Sequence, residues 1–213
     1  MSGIDKLWAP MAGADGRRRP LLAYSLAAFE SCPAVTRIVL VTGSDALERA
    51  RALVGDESFA KVCAVVPGGA RRQDSVRTGL EALGRCDWVV VHDGARPMVT
   101  GELIERGLGE AREAGASCCA LPVPDTLKEG DEAQDVVCTL DRSRLWLAQT
   151  PQVFSYELLL RAHRQAEGDA TDDAALVEAL GAKVRLYQGS PRNLKVTTTE
   201  DLALVEALLA QSS

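Results

Sequence analysis

Residues 88–97 read Trp-Val-Val-Val-His-Asp-Gly-Ala-Arg-Pro, and no other segment narrows the choice of fold so far. A β-branched run without polar alternation marks a strand covered on both faces, as parallel sheets are covered by helices. Pro97 ends the ladder because it has no N–H to give. Open α/β sheets bind ligands beyond the carboxyl ends of such strands. This strand delivers one carboxylate, Asp93, two small residues and one guanidinium, Arg96, at that end. Asp93 suits a metal–phosphate complex and Arg96 a second phosphate. A strand closing in an Asp turn before the next helix is the plainer reading of the same residues.

Around this segment, β-rich runs alternate with helical patterns. Strands are expected at 35–42, 62–66, 88–91, 117–123 and 184–187. Helices are expected at 45–54, 74–83, 103–114, 158–166, 174–180 and 200–209, the last capped by Thr199. Val76, Leu80 and Leu83 show the helical spacing. This β-α-β-α order predicts an α/β fold, Rossmann-like, with a mostly parallel sheet and helices on both faces. Residues 125–150 break the rhythm. A strand-like piece at 136–140 lies between polar turns and is followed by Leu145-Trp146-Leu147. The expectation is an inserted β-arm whose apolar face a neighbouring subunit covers. At 213 residues the chain suits a single domain, 1–213, with the arm at about 125–150.

The net charge of −6 argues against non-specific nucleic-acid binding. No apolar stretch approaches the length of a membrane span and no signal peptide is evident, so the expected location is cytoplasmic, with neither membrane nor nucleic acid as partner. Cys32, Cys63, Cys86, Cys118, Cys119 and Cys138 form no C-x-x-C pair, and His92 and His163 are the only histidines. Small buried hydrophobes in a reducing compartment explain these cysteines better than a zinc site. Arg17, Arg18 and Arg19 read as a solvated basic turn.

Further clusters carry candidate chemistry. Pro67-Gly68-Gly69-Ala70-Arg71-Arg72-Gln73-Asp74-Ser75 follows a strand and opens a helix. Paired glycines admit a flat ligand close to the backbone, helix-terminal amides and Ser75 can bond a base or a phosphate, and the arginines add positive charge. Lys195 lies between apolar neighbours in Asn193-Leu194-Lys195-Val196-Thr197, where an ammonium can stabilise charge growing on a transferring phosphoryl group. Lys6 is its candidate partner. Thr126, Arg142 and Thr150 could grip a polyol phosphate.

Taken in order, these segments resemble the 2-C-methyl-D-erythritol 4-phosphate cytidylyltransferases of the non-mevalonate isoprenoid pathway. The set is Asp5-Lys6-Leu7, Pro67-Gly68-Gly69-x-x-Arg72-x-Asp74-Ser75-Val76, Val91-His92-Asp93-Gly94-Ala95-Arg96-Pro97 and Pro122-Val123-x-Asp125-Thr126-x-Lys128. It continues with Asp141-Arg142-x-x-Leu145-Trp146-x-x-Gln149-Thr150-Pro151-Gln152, Thr171-Asp172-Asp173 and Asn193-Leu194-Lys195-Val196-Thr197. The resemblance implies attack of the acceptor phosphate on the α-phosphorus of CTP, with Mg²⁺ as cofactor and pyrophosphate leaving. It implies that Lys6, Lys195 and Asp93 are catalytic, with Asp93 also the metal ligand. Gly68, Gly69, Ser75 and Gly94 frame the nucleotide. Arg96, Thr126, Arg142 and Thr150 hold the acceptor, Arg142 from the partner subunit of a homodimer built on the arm. A relative acting on ribitol 5-phosphate, and a non-catalytic dimeric paralogue, are alternative readings. The family pattern also begins with a central strand and a glycine-rich triphosphate loop before the Asp-Lys, and only Met1-Ser2-Gly3-Ile4 precedes it here. The expectation is that this strand and loop are missing from the chain and that the true start lies upstream.

Overall fold

The computed structural model describes residues 6–211. Asp5 and the stretch where the upstream strand was expected lie outside the described residues. In chain order the elements are β1 (Pro10–Ala12), β2 (Arg18–Pro20), α1 (Leu21–Ser31), β3 (Ile38–Thr42), α2 (Leu47–Asp56), β4 (Val62–Pro67), α3 (Arg72–Leu83), β5 (Trp88–Val91) and α4 (Gly101–Ala114). They continue with β6 (Ala116–Pro122), β7 (Lys128–Gly130), β8 (Val136–Thr139), β9 (Trp146–Ser155), α5 (Tyr156–Gln165), α6 (Asp173–Ala179), β10 (Arg185–Gln188) and α7 (Thr199–Ala210).

The main sheet has the order β10-β6-β9-β5. β10 runs parallel to β6, but β9 is antiparallel to both of its neighbours. The sheet is therefore mixed, which corrects the expectation of a mostly parallel one. The reason is the arm. The chain leaves the sheet on β6, turns through the β7–β8 hairpin and re-enters on β9 with no crossover helix, so the return strand must be antiparallel. β9 also runs from Trp146, so residues 146–150, assigned to the arm from the sequence, belong to the sheet.

Successive residues of β9 point to opposite faces, as the pleat requires. Phe154 packs with Leu80, Leu159 and Val177, whereas Val153 packs with Phe29, Ile104 and Leu108. Helices thus cover both faces. α1 was not foreseen because it is apolar nearly all round: Leu22 and Leu26, Phe29 and Leu21 enter three separate clusters, so no single stripe shows in its sequence. α7 is capped by Thr198 rather than Thr199. Thr198 Oγ1 accepts from Asp201 N (3.2 Å) while the Asp201 carboxylate accepts from Thr198 N (2.8 Å), a reciprocal capping box.

The basic stretch at 17–19 is not simply a solvated turn. Gly16 (φ +73°) makes the bend, β2 pairs antiparallel with β1, and Arg19 is held by Asp15 (2.6 Å) and Glu57 (3.1 Å). All six cysteines are free thiols. Cys32, Cys118 and Cys119 are buried, but Cys63 and Cys138 are exposed, against the expectation of six buried hydrophobes. No helix among the described residues is long and apolar enough to cross a membrane.

A second sheet fragment pairs only β3 with β4, in parallel. β3 and β5 share no hydrogen bonds, and a cavity of about 690 Å³ separates them. Both strands line it along their whole length, with Leu22 and Leu26 of α1 on one side and Val76 and Leu80 of α3 on the other.

Candidate active site

The loop after β5 is fixed before any ligand arrives. Arg96 N donates to Asp93 O (2.9 Å), closing a turn. Thr150 Oγ1 accepts from Asp93 N (3.0 Å) and lies 3.0 Å from His92 Nδ1, while His92 Nε2 lies 3.2 Å from Arg96 O. A neutral imidazole satisfies this arrangement, Nε2–H donating to the carbonyl and Nδ1 accepting from the hydroxyl. Burial pushes the His92 pKa down to about 4. The Lys195 segment is tied to the same loop by Val196 N donating to Ala95 O (2.9 Å). Asn193, fully buried, supports both β9 and the loop after β5: its Nδ2 donates to Thr150 O (2.8 Å) and its carbonyl accepts from Arg96 Nη1 (2.8 Å).

These constraints place three cations around one carboxylate. Lys195 Nζ stands 3.0 Å from Asp93 Oδ2, Arg72 Nε 3.8 Å from Oδ1, and Arg96 Nε 3.9 Å from Oδ2. Burial opposes ionisation of Asp93, but the Lys195 hydrogen bond and the charges of Lys195, Arg72 and Arg96 override it and hold the carboxyl below the usual range. Beside it opens a polar pocket of about 230 Å³, walled by Arg72, Asp93, Arg96, Thr150, Thr171 and Lys195 among others. Arg96 Nε is buried without a hydrogen-bond partner, although its carbonyl-bound Nη1 is anchored. A buried guanidinium N–H of this kind is a donor waiting for an anion.

The glycine turn before α3 borders the other cavity. Gly68 N donates to Thr42 O (2.7 Å), and Gly69 N donates to Ser75 Oγ (3.1 Å). A Cβ on Gly69 would lie 2.4 Å from Asp74 Cβ, so this approach requires glycine. Ser75 and Gly94 line the slot between β3 and β5, and the Gly94 carbonyl accepts from Ser25 Oγ (2.9 Å). The two arginines of this turn separate. Arg71 faces outward to Asp74 (2.8 Å) and Asp169 (2.9 Å), whereas Arg72 turns into the site.

A family model for 2-C-methyl-D-erythritol 4-phosphate cytidylyltransferase (IspD) matches residues 1–211. The chain belongs to this cytidylyltransferase family. A curated relative of that name from Dehalococcoides mccartyi (strain CBDB1) is 44% identical over 209 residues, covering 98% of this chain and 90% of the relative. One from Desulforamulus reducens is 48% identical over 197 residues, covering 90% and 84%. The crystal structure of the cytidylyltransferase from Thermus thermophilus superposes with a TM-score of 0.80 at 36% identity, over 95% of this chain and 93% of that one.

Of the residues that the cytidylyltransferase resemblance singled out, the fold brings Asp93, Arg96, Thr150 and Lys195 to one pocket and Ser75 and Gly94 to the slot beside it. Gly68 and Gly69 do not line the slot but are tied to Thr42 and Ser75, which do, and Lys6, Thr126 and Arg142 are not brought in. Lys6 begins a 3-10 turn, Lys6–Trp8, and no contact joins its ammonium to Asp93 among the described residues. Thr126 and Arg142 lie exposed on the arm, where Arg142 Nη1 donates to Pro124 O. The sequence reading undervalued Arg72 and passed over Gln149, Gln152, Asn193 and His163 as site-forming residues. Gln149 and Gln152 interrupt an apolar run, whereas Arg72, Asn193 and His163 have polar or charged neighbours and carry no such local signal; all but Arg72 are under 9% exposed.

Proposed function

We propose that this protein transfers the cytidylyl group of CTP to 2-C-methyl-D-erythritol 4-phosphate, releasing pyrophosphate, as a single nucleotidyltransferase domain spanning 1–213. One observation carries the reading: a single ionised carboxylate, Asp93, ringed by Lys195, Arg72 and Arg96 where the apolar slot meets the polar pocket. An oxygen of the acceptor phosphate attacks the α-phosphorus in line. A new P–O bond forms, the bond to the β-phosphate breaks, and both electrons leave with pyrophosphate. Such transfers are catalysed by positioning and charge stabilisation. Lys195, with Lys6, neutralises the charge that grows on the α-phosphoryl oxygens. Arg96 holds the acceptor phosphate in the polar pocket, and Thr150, whose hydroxyl proton goes to His92, fixes the Asp93 loop beside it. Gly68, Gly69, Ser75 and Gly94 receive the cytidine.

Among the described residues no cluster of three or more metal-ligating side chains assembles. A cation here would be held by Asp93 together with substrate phosphates and water, a donor set that suits Mg²⁺. When bound it would supply charge neutralisation along the triphosphate. The slot supports a further extended strand between β3 and β5, whose closing loop would wrap the triphosphate with backbone N–H groups beside Gly94. Val136 and Val137 are 63% and 61% exposed and Leu147 is 50% exposed, which supports a homodimer in which partners cover each other's arms and Thr126 and Arg142 enter the partner's pocket. Six free thiols suit a cytoplasmic location.

Incubation with CTP, Mg²⁺ and either methylerythritol phosphate or ribitol 5-phosphate, following pyrophosphate, tests the reading. Release with the first acceptor alone is expected. Release with ribitol phosphate alone, or with neither, overturns it.

A further inference from the structure

Behind the polar pocket lies a buried charge cluster that the transfer chemistry does not use. Asp173, the first residue of α6, is fully buried. Its two oxygens face different partners. Oδ1 is 2.9 Å from Nε2 of His163 on α5, itself buried, and Oδ2 is 2.7 Å from Arg72 Nη1. A carboxylate only accepts, so His163 Nε2 carries a proton in that contact. The contact to Arg72 is a close ion pair off the hydrogen-bond direction. Arg72 Nε then stands 3.8 Å from Asp93 Oδ1. One guanidinium is shared by two carboxylates, tightly by the buried one and loosely by the one in the site.

The sharing has a chemical consequence. Arginine and carboxylate favour close, bidentate pairing. Asp93 Oδ2 is already occupied by Lys195 at 3.0 Å. Were Arg72 to close onto Oδ1 as well, both oxygens would carry a close cationic partner, and an incoming cation would meet competing positive charge at each. Asp173 prevents this only if it is itself immobile, and it is. Gln152 staples the start of α6 to β9, with Nε2 donating to Asp172 Oδ2 (2.7 Å) and Oε1 accepting from Ala174 N (3.2 Å). Asp172 Oδ1 accepts from Ala175 N (2.9 Å) as the helix cap. His163 fixes the remaining Asp173 oxygen from α5.

We propose that His163 and Asp173 are positioning residues that hold Arg72 off Asp93 and so keep Asp93 Oδ1 open to the cation accompanying the nucleotide. This rests on the reading of Asp93 as the cation ligand. The measurement is CTP affinity by titration calorimetry with and without Mn²⁺, the readout being the factor by which Mn²⁺ tightens CTP binding. Wild type is expected to show a factor of about ten or more, Asp173→Asn a factor near one, and His163→Gln a value between them. Adding Arg72→Gln to Asp173→Asn should restore the factor, because no guanidinium remains to close onto Asp93. A loss of folding alone would not produce that recovery. If Asp173→Asn does not fold, His163→Gln decides. Folded variants with the wild-type factor overturn the proposal, as does a wild type indifferent to Mn²⁺. Absence of pyrophosphate release with every acceptor would sink the transferase reading while leaving these affinities to be judged separately.

Discussion

Two cavities meet at Asp93 and Arg72, and they are built from opposite materials. The slot between β3 and β5 is walled by strand edges and aliphatic side chains. The pocket beside it is walled by side chains carrying charge or hydroxyls, cross-tied through Thr150, Asn193 and the Asp93 loop. Among the described residues, the strand edges facing the slot have no partner strand, and their N–H and C=O groups are ones that a further strand satisfies and a small anion does not. The pocket offers cations and one buried unpartnered N–H, which a phosphate satisfies. The same junction therefore asks for polypeptide on one side and for substrate on the other. The pocket is set by the protomer's own bonds, and the slot is the weaker half of the sheet.

The sharpest way to break this contrast is on the pocket side. Lys195→Ala should lower turnover by about 10²–10³-fold or more in a pyrophosphate-release assay, the scale for losing a preorganised transition-state contact. The thermal midpoint should barely move, because the Lys195 side chain is 45% exposed. Equal losses of activity and stability would mean that the pocket is not preorganised. A second test asks whether the pocket is complete within one protomer. Arg142→Ala should impair use of the acceptor more than binding of CTP. Mixed dimers pairing Arg142→Ala with Lys195→Ala should regain one working site per dimer, about half of wild-type activity, if arms exchange between partners. No recovery would mean that Arg142 does not reach across to the partner's site.

On the slot side, amide exchange is the discriminating measurement. Backbone amides of β3 and β5 that face the slot should exchange at least about ten times faster than those of β9, which is paired on both edges. A synthetic extended aliphatic peptide, or an N-terminal extension bearing one, should slow them and raise the thermal midpoint. Uniform protection across β3, β5 and β9 would show that the slot is closed in solution.

Part of this was legible in the chain. β5, α3 and α4 announce themselves by an unbroken β-branched run or by helical spacing, since each buries a face whose period survives in the sequence. Asp93, Arg96 and Lys195 stood out because charge follows or interrupts apolar residues. β9 did not stand out: Gln149, Thr150 and Gln152 interrupt it, yet all three are buried, because their polar groups are satisfied by partners distant in sequence. Strand direction was also hidden, since local pattern does not record whether a chain returns by a helix or by a hairpin. The role of Arg72 needs Asp173 beside it, a neighbour that only the tertiary fold supplies.

The smallest expected effect sits where the two cavities share a wall. His92 ties the Asp93 loop to Thr150 on the pocket side, and its ring lies 5.1 Å from that of Phe29 on the slot side. Burial depresses its folded-state pKa from 6.5 to about 4, while the hydrogen bond to the Arg96 carbonyl and the charge of Asp93 work against the fall and the charge of Arg96 with it. Between these values the unfolded chain binds the proton and the folded one does not. Stability is then full above pH 6.5 and declines as the pH falls toward 4, by at most about 1.4 kcal/mol per pH unit for one proton. Thermal melts from pH 7 to pH 4 should show this slope, and His92→Gln should flatten it. The ring also borders the slot. A slope indifferent to the substitution would mean that His92 does not carry it.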